Sequence, residues 1–220
     1  MSLYVNEGSS GSIAPLAAGT YSAVCSMLVD LGDQYSETFG NTQHKIVICW
    51  EIPDEALEDG SARRLSNTYT ASLNAKGNLR RDLIAWRGRD FTVDELKKFD
   101  LRSIVGAPCL LQVIHKTSAD GSKTRSVIGG IMSLPKGMPK PVMTGEPIIF
   151  DLDDPASLPL MDKLPEWMQT RIKEGETWKA MQAEQEYAAA EKEGKQSEDA
   201  AAEKPTFKEQ IEAADGELPF

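Results

Sequence analysis

The chain has 220 residues, of which 40% are hydrophobic, and a formal net charge of −10, which allows one domain of ordinary size with appendages. No run of 18 apolar residues occurs and no basic start leads into an apolar stretch, so a membrane span and a signal peptide are not expected and a cytoplasmic location is predicted. Residues 1–150 carry 16 Lys+Arg against 16 Asp+Glu, and residues 151–220 carry 8 against 18, so the acidic average belongs to the second part and a basic face on the first stays possible.

Residues 1–15, with Gly-Ser-Ser-Gly-Ser at 8–12 and Pro15, read as a flexible arm. From Gly19 the period becomes two. Tyr21, Ala23, Cys25, Met27, Val29 and Leu31 alternate with polar residues and predict a long half-buried strand. A polar run to Gly40-Asn41 makes the turn. The second strand spans His44 to Ile52, with Ile46, Ile48, Trp50 and Ile52 on one face and Lys45 and Glu51 on the other, which makes Trp50 a core residue. Residues 53–64 read as a loop, and a third strand runs from about Ser66 to Leu73.

Leu79, Leu83 and Trp86 stand at i, i+4 and i+7 and predict a short helix ending at Arg87-Gly88. Thr92-Val-Asp-Glu95 is a capping box that starts a helix over 93 to about 100, with Phe91 and Leu96 spaced for a hydrophobic staple. Pro108–Lys116 and Lys123–Leu134 predict two more strands, joined by a hairpin through Asp120-Gly121. The order is three strands, a helix and two strands. A mainly β fold is therefore expected over 16–150: a five-stranded OB-fold barrel with its helix between strands three and four, which binds oligonucleotides across its strand 2–3 face and loops. Ile148-Ile-Phe150 is expected to add an edge strand, stopped by the turn at Asp151-Leu-Asp-Asp-Pro155.

A helical extension is expected over 151–193, with Pro165 at a helix start and Trp178, Met181 and Tyr187 as apolar anchors suited to packing on the barrel or on a partner subunit. Residues 194–220 have the composition of a disordered acidic tail. The tail ends in Asp215-Gly-Glu-Leu-Pro-Phe220. That ending resembles the C-terminal tip of bacterial single-stranded DNA-binding proteins, in which an acidic stretch closes on a hydrophobic residue, Pro and Phe that partner proteins grip. The stretches Trp86-Arg-Gly-Arg-Asp-Phe91-Thr-Val-Asp-Glu-Leu96, Leu134-Pro-Lys-Gly-Met138 and Leu164-Pro-Glu-Trp167 are similar to segments of a family of phage and plasmid proteins found with replication and recombination genes. This resemblance, over residues 19 to about 173, implies a phage-type OB-fold protein that coats single-stranded DNA in the host cytoplasm. The tip resemblance implies that Asp215, Glu217, Leu218, Pro219 and Phe220 recruit replication or recombination partners. In two respects the chain departs from the bacterial pattern: the linker is Ala/Glu/Lys-rich instead of Gly/Gln/Pro-rich, and only Asp215 and Glu217 place acid beside Leu218.

Sequence-independent binding of single strands needs cations for phosphates and aromatic faces for bases. The basic candidates are Lys45 on strand two, Arg63 and Arg64 before strand three, Lys76, Arg80 and Arg81 after it, Arg87 and Arg89 at the helix end, and Lys116, Lys123 and Arg125 at the last hairpin. Tyr69, Tyr35 and Phe39 are the aromatic candidates. The acidic tail is expected either to compete with DNA for such a cationic surface or to present its tip to partners; a homodimer is compatible with the sequence.

Two other readings compete. Asp151, Asp153 and Asp154 suggest a Mg²⁺-dependent nuclease, but no base accompanies them and no phosphate loop or nucleophile motif occurs. An acidic protein-interaction module, acting as a DNA mimic or assembly chaperone, would use the tail alone. Cys25, Cys49 and Cys109 lie apart in apolar runs without a C-x-x-C pair, and His44 and His115 are isolated, so disulfides, a metal site and a cofactor are not expected.

Overall fold

The structure is a computed structural model that describes residues 14–37 and 40–188. The chain divides into two units, Met1–Gly175 and Glu176–Phe220. In the second, residues 176–188 are helical and Tyr187 is exposed. Residues 1–13 of the expected 1–15 arm, the tail from 194 and the tip lie outside the described residues.

The first unit is built on one six-stranded sheet: β1 (Gly19–Ser36), β2 (Asn41–Ala56), β3 (Ala62–Thr70), β4 (Pro108–Thr117), β5 (Thr124–Met132) and β6 (Ile148–Phe150). Its order is β3-β2-β1-β4-β5, antiparallel throughout, and β6 lies parallel against Met27–Val29 of β1. Helices α1 (Asn78–Arg87) and α2 (Val93–Lys97) fall between β3 and β4, and α3 (Glu166–Glu174) follows a 3-10 turn at Leu158–Lys163. The expected strand order and the place of the helix are present. The closed barrel is not: β3 and β5 approach each other, yet no ladder joins them, and the sheet is open along that seam.

The sequence pattern explains both faces of the sheet. Ala23 and Cys25 point into the main core, and a register shift between Cys25 and Met27 reverses the alternation so that Leu28 points there too. With Ile46, Ile48, Trp50 and Ile52 of β2 they meet Leu79, Leu83 and Trp86 of α1, which packs against β3 and β5 and fills the end of the seam. Trp50 is fully buried, as its face predicts, and its ring lies 5.8 Å from that of Trp86. The opposite face of β1 and β2 is buried as well, because Phe150, Leu152, Met161, Met168 and Ile172 are buried beyond it and α3 adjoins β1. This second layer turns a strand expected to be half-buried into one enclosed on both sides from Ala23 to Val29.

Local structure departs from expectation in three places. Strand three begins at Ala62, so Arg63 and Arg64, assigned by sequence to a loop, pair with Ile52 and Glu51 of β2. The Thr92–Glu95 capping box forms, but the helix stops at Lys97. Leu96 stays exposed, and Phe91 meets Phe99 edge-on at 5.1 Å instead of forming the expected staple. The Asp120-Gly121 hairpin forms as predicted, with Gly121 at φ 72°, a left-handed conformation that favours glycine. Among the described residues no helix is long and apolar enough to cross a membrane.

Candidate nucleic-acid interface

The hairpin between β4 and β5 is held by its own turn chemistry. The Asp120 carboxylate accepts from the hydroxyl of Ser118 and from the hydroxyl (2.7 Å) and amide (3.1 Å) of Ser122, which draw its pKa down to about 2. The acid nearest the hairpin cations is thereby committed to the turn. Lys116 stands directly across the ladder from Arg125, an arrangement in which like charges repel and weaken the pairing. Lys116, Lys123 and Arg125 are exposed and make no ion pair among the described residues.

Across the seam, the start of β3 supplies Arg63 and Arg64. Together with the hairpin they line a groove of about 880 Å³ that contains five cations (Arg63, Arg64, Lys116, Lys123 and Arg125) and, among the described residues, no carboxylate. Arg63 donates from Nη1 to the carbonyl of Ala14 at 2.6 Å. Arg64 is tied down from behind: its Nη2 donates to Oε2 of Glu51 at 3.2 Å, and Nη1 has no partner among the described residues. Glu51 is 0% exposed. Its other oxygen accepts from the amide of Thr144 at 2.6 Å and from its hydroxyl at 2.8 Å. Burial alone would raise the Glu51 pKa, but the two Thr144 donors and Arg64 outweigh it and hold the carboxyl below its ordinary value. The buried carboxylate thus fixes a groove arginine to the segment around Thr144.

The remaining basic candidates lie elsewhere and are mostly occupied. Lys45 donates to Gln43 Oε1 at 2.7 Å and Thr70 Oγ1 at 2.8 Å. It pairs with Thr70 across the β2–β3 ladder, roughly 23 Å along the strand from Arg63 at about 3.3 Å per residue. Arg80 pairs with Asp90 and Arg81 with Asp82. Arg87 is a structural arginine: it binds Glu95, lies over the rings of Phe91 (4.3 Å) and Phe99 (5.1 Å), and is only 15% exposed. Arg89 shares Glu95 at 2.7 Å. Lys76 is exposed and unpaired, next to the N-terminus of α1. The structure therefore brings five of the eleven basic candidates together and disperses the rest.

Of the aromatic candidates, Tyr69 is corrected. It is 4% exposed in the main core, donates its hydroxyl to Asp82 Oδ2 at 3.0 Å and accepts from Asn67 Nδ2 at 3.2 Å, so neither ring face is open to a base. It points inward because it is the cross-strand partner of the core residue Ile46 on β2. Tyr35 is 59% exposed at the end of β1, and Phe39 lies outside the described residues. No aromatic side chain lines the groove among the described residues.

The carboxylates of the acidic turn are engaged in local bonds. Asp151 accepts from Arg102 Nη2 at 3.2 Å and from the amide of Asp153, and Asp154 accepts from the amide of Ala156. Among the described residues no three His, Cys, Asp or Glu side chains gather in a way that would hold a metal ion. Cys25, Cys49 and Cys109 are buried and free, and burial pushes each thiol upward, Cys25 and Cys49 to about 12.

Sequence reasoning missed Glu51 as a structural anchor. A signal was available: a lone acid inside Ile48-Cys-Trp-Glu-Ile52, where both faces of the strand are apolar. The fold and the groove define a mainly β domain with an acid-free cationic seam. No protein-family model matches the chain, and no curated protein matches it either.

Proposed function

We propose that this protein is a sequence-independent single-stranded DNA-binding protein, of the kind used in phage replication and recombination, whose sheet is an OB-type barrel open at the β3–β5 seam. The strand passes through the groove over Arg63, Arg64, Lys116, Lys123 and Arg125. One observation carries the reading: five cations face one groove with no lining carboxylate among the described residues, two of them paired directly against each other on β4 and β5. Folding gains nothing from that repulsion, and a polyanion relieves it. The tip, Asp215 to Phe220, is the handle for replication or recombination partners in this proposal, which rests for that part on the sequence resemblance. The protein works in the cytoplasm and needs no cofactor.

The test is charge reversal at two unpaired hairpin positions. Lys123→Glu with Arg125→Glu is expected to weaken oligo-dT binding by at least tenfold at low salt and leave the fold unchanged by circular dichroism. Wild-type affinity in this variant would reject the groove as the binding surface. Failure of the wild-type chain to bind any oligonucleotide would instead favour the protein-interaction reading.

A further inference from the structure

The stretches Trp86–Leu96 and Leu134–Met138, distant in sequence, line a second cavity of about 610 Å³. It lies at the opposite end of the β4–β5 hairpin from the groove. Pro108, where β4 begins, and Leu134, just past β5, form part of its wall, whereas Lys116 and Arg125 at the far ends of the same strands face the groove. From Pro108 to Lys116 the strand covers about 26 Å at ~3.3 Å per residue. That span falls within the footprint of a single-strand-binding domain of this size, which takes on the order of 4–16 nucleotides.

The chemistry of the cavity complements that of the groove. Phe99 and Met138, with the buried Trp86 and Ile104 behind them, give it an apolar lining with one partly exposed aromatic ring, which the groove lacks. Four cations, Arg87, Arg89, Lys136 and Lys140, accompany a single carboxylate, Glu95. Glu95 is already claimed by both arginines and by the amide of Thr92, and these donors, Arg89 foremost, draw its pKa down to about 2, so it stays an anion bound to its own cations. Lys136 and Lys140 are exposed and make no ion pair among the described residues. The ring of Phe99 is half-buried and held by the edge contact with Phe91 and by the Arg87 guanidinium, so it is pre-positioned.

We propose that this cavity is a second contact point for the same single strand: an unstacked nucleobase enters against Phe99 and Met138 while Lys136 and Lys140 hold the flanking phosphates. The proposal rests on the reading of the groove as the single-strand site, and it supplies the base-directed contact that the groove does not. An acidic peptide with one apolar residue shares part of this chemistry. The strand is favoured because the cavity adjoins the base of the same β4–β5 hairpin whose tip carries Lys116, Lys123 and Arg125.

The experiment uses the full chain and a 20-nucleotide oligo-dT carrying 5-iodouracil, irradiated and mapped by peptide mass spectrometry. Adducts are expected on Phe99 or Met138 as well as on the 116–125 hairpin. Lys136→Glu with Lys140→Glu, two exposed and unpaired positions, is expected to keep the wild-type circular dichroism spectrum and melting temperature. It should also lose about tenfold in affinity and reduce the log–log salt slope by about 1.4, two phosphates at roughly 0.7 each. Wild-type binding with adducts confined to 116–125, together with a variant of unchanged affinity and slope, overturns the second contact point and leaves the groove intact. So does a variant that loses only the binding of a fluorescein-labelled Asp/Glu-rich peptide containing one Phe. Absence of oligonucleotide binding by the wild-type chain overturns both proposals together.

Discussion

His44 shows how a residue that reads as isolated in sequence acquires a role through register. β1 and β2 pair so that His44 stands opposite Asp33 and near Asp30, and its ring nitrogens meet Asp30 Oδ1 at 2.8 Å and Asp33 Oδ1 at 3.0 Å. The bond to Asp30, with smaller help from Asp33, raises its pKa from 6.5 to about 9. A raised folded-state pKa contributes stability in full below the unfolded value and loses it as pH climbs through the folded one. Thermal unfolding should therefore show stability falling between pH 6.5 and 9 in the wild type, and His44→Gln should flatten that window; an equal fall in both proteins would remove His44 as its source. Tyr69 and Glu51 carry the opposite lesson. Each is polar or amphipathic on a strand whose alternation describes one face only, and each is buried by something that alternation does not contain: α1 beyond Tyr69 and the Thr144 segment over Glu51.

At the scale of elements, α1 governs whether the open seam holds its shape. Its buried stripe, Leu79, Leu83 and Trp86, was legible from the i, i+4, i+7 spacing, and the left-handed Gly88 that ends the helix stands where the sequence stops it. Leu83 is 1% exposed. Leu83→Ala is expected to cost about 3 kcal/mol in urea unfolding, within the range for a buried Leu-to-Ala change; a cost below about 1 kcal/mol would mean that the helix is not seated against β3 and β5 as described. The strands and their order were legible because alternation and turn residues are local signals. The start of β3 was not, because Ala-Arg-Arg has no alternation and becomes strand only through the β2 ladder. Of the second layer, the strand at Ile148–Phe150 and the helix start at Pro165 were legible, but that Phe150 to Ile172 cover the outer face of β1 was not, because their apolar residues are spaced irregularly.

Across the whole molecule, division of the charge mattered more than its sum. The net −10 belongs to residues 151–220, and the balanced part ahead of it separates its charges in space: carboxylates pair with the arginines of α1 and its flanks, while the hairpin cations make no ion pair among the described residues. Which of eleven basic candidates would converge was not legible, since convergence depends on the β3–β5 approach, a long-range feature with no sequence period. The central claim is a phosphate-dominated single-strand site, and salt dependence tests it most directly. Titration of the full chain with oligo-dT and with duplex of equal length, at several salt concentrations, should show tighter binding of the single strand. The log–log slope should be about −3 or steeper, at roughly 0.7 for each of the groove's cations. A slope near zero, or equal affinity for duplex, would contradict it.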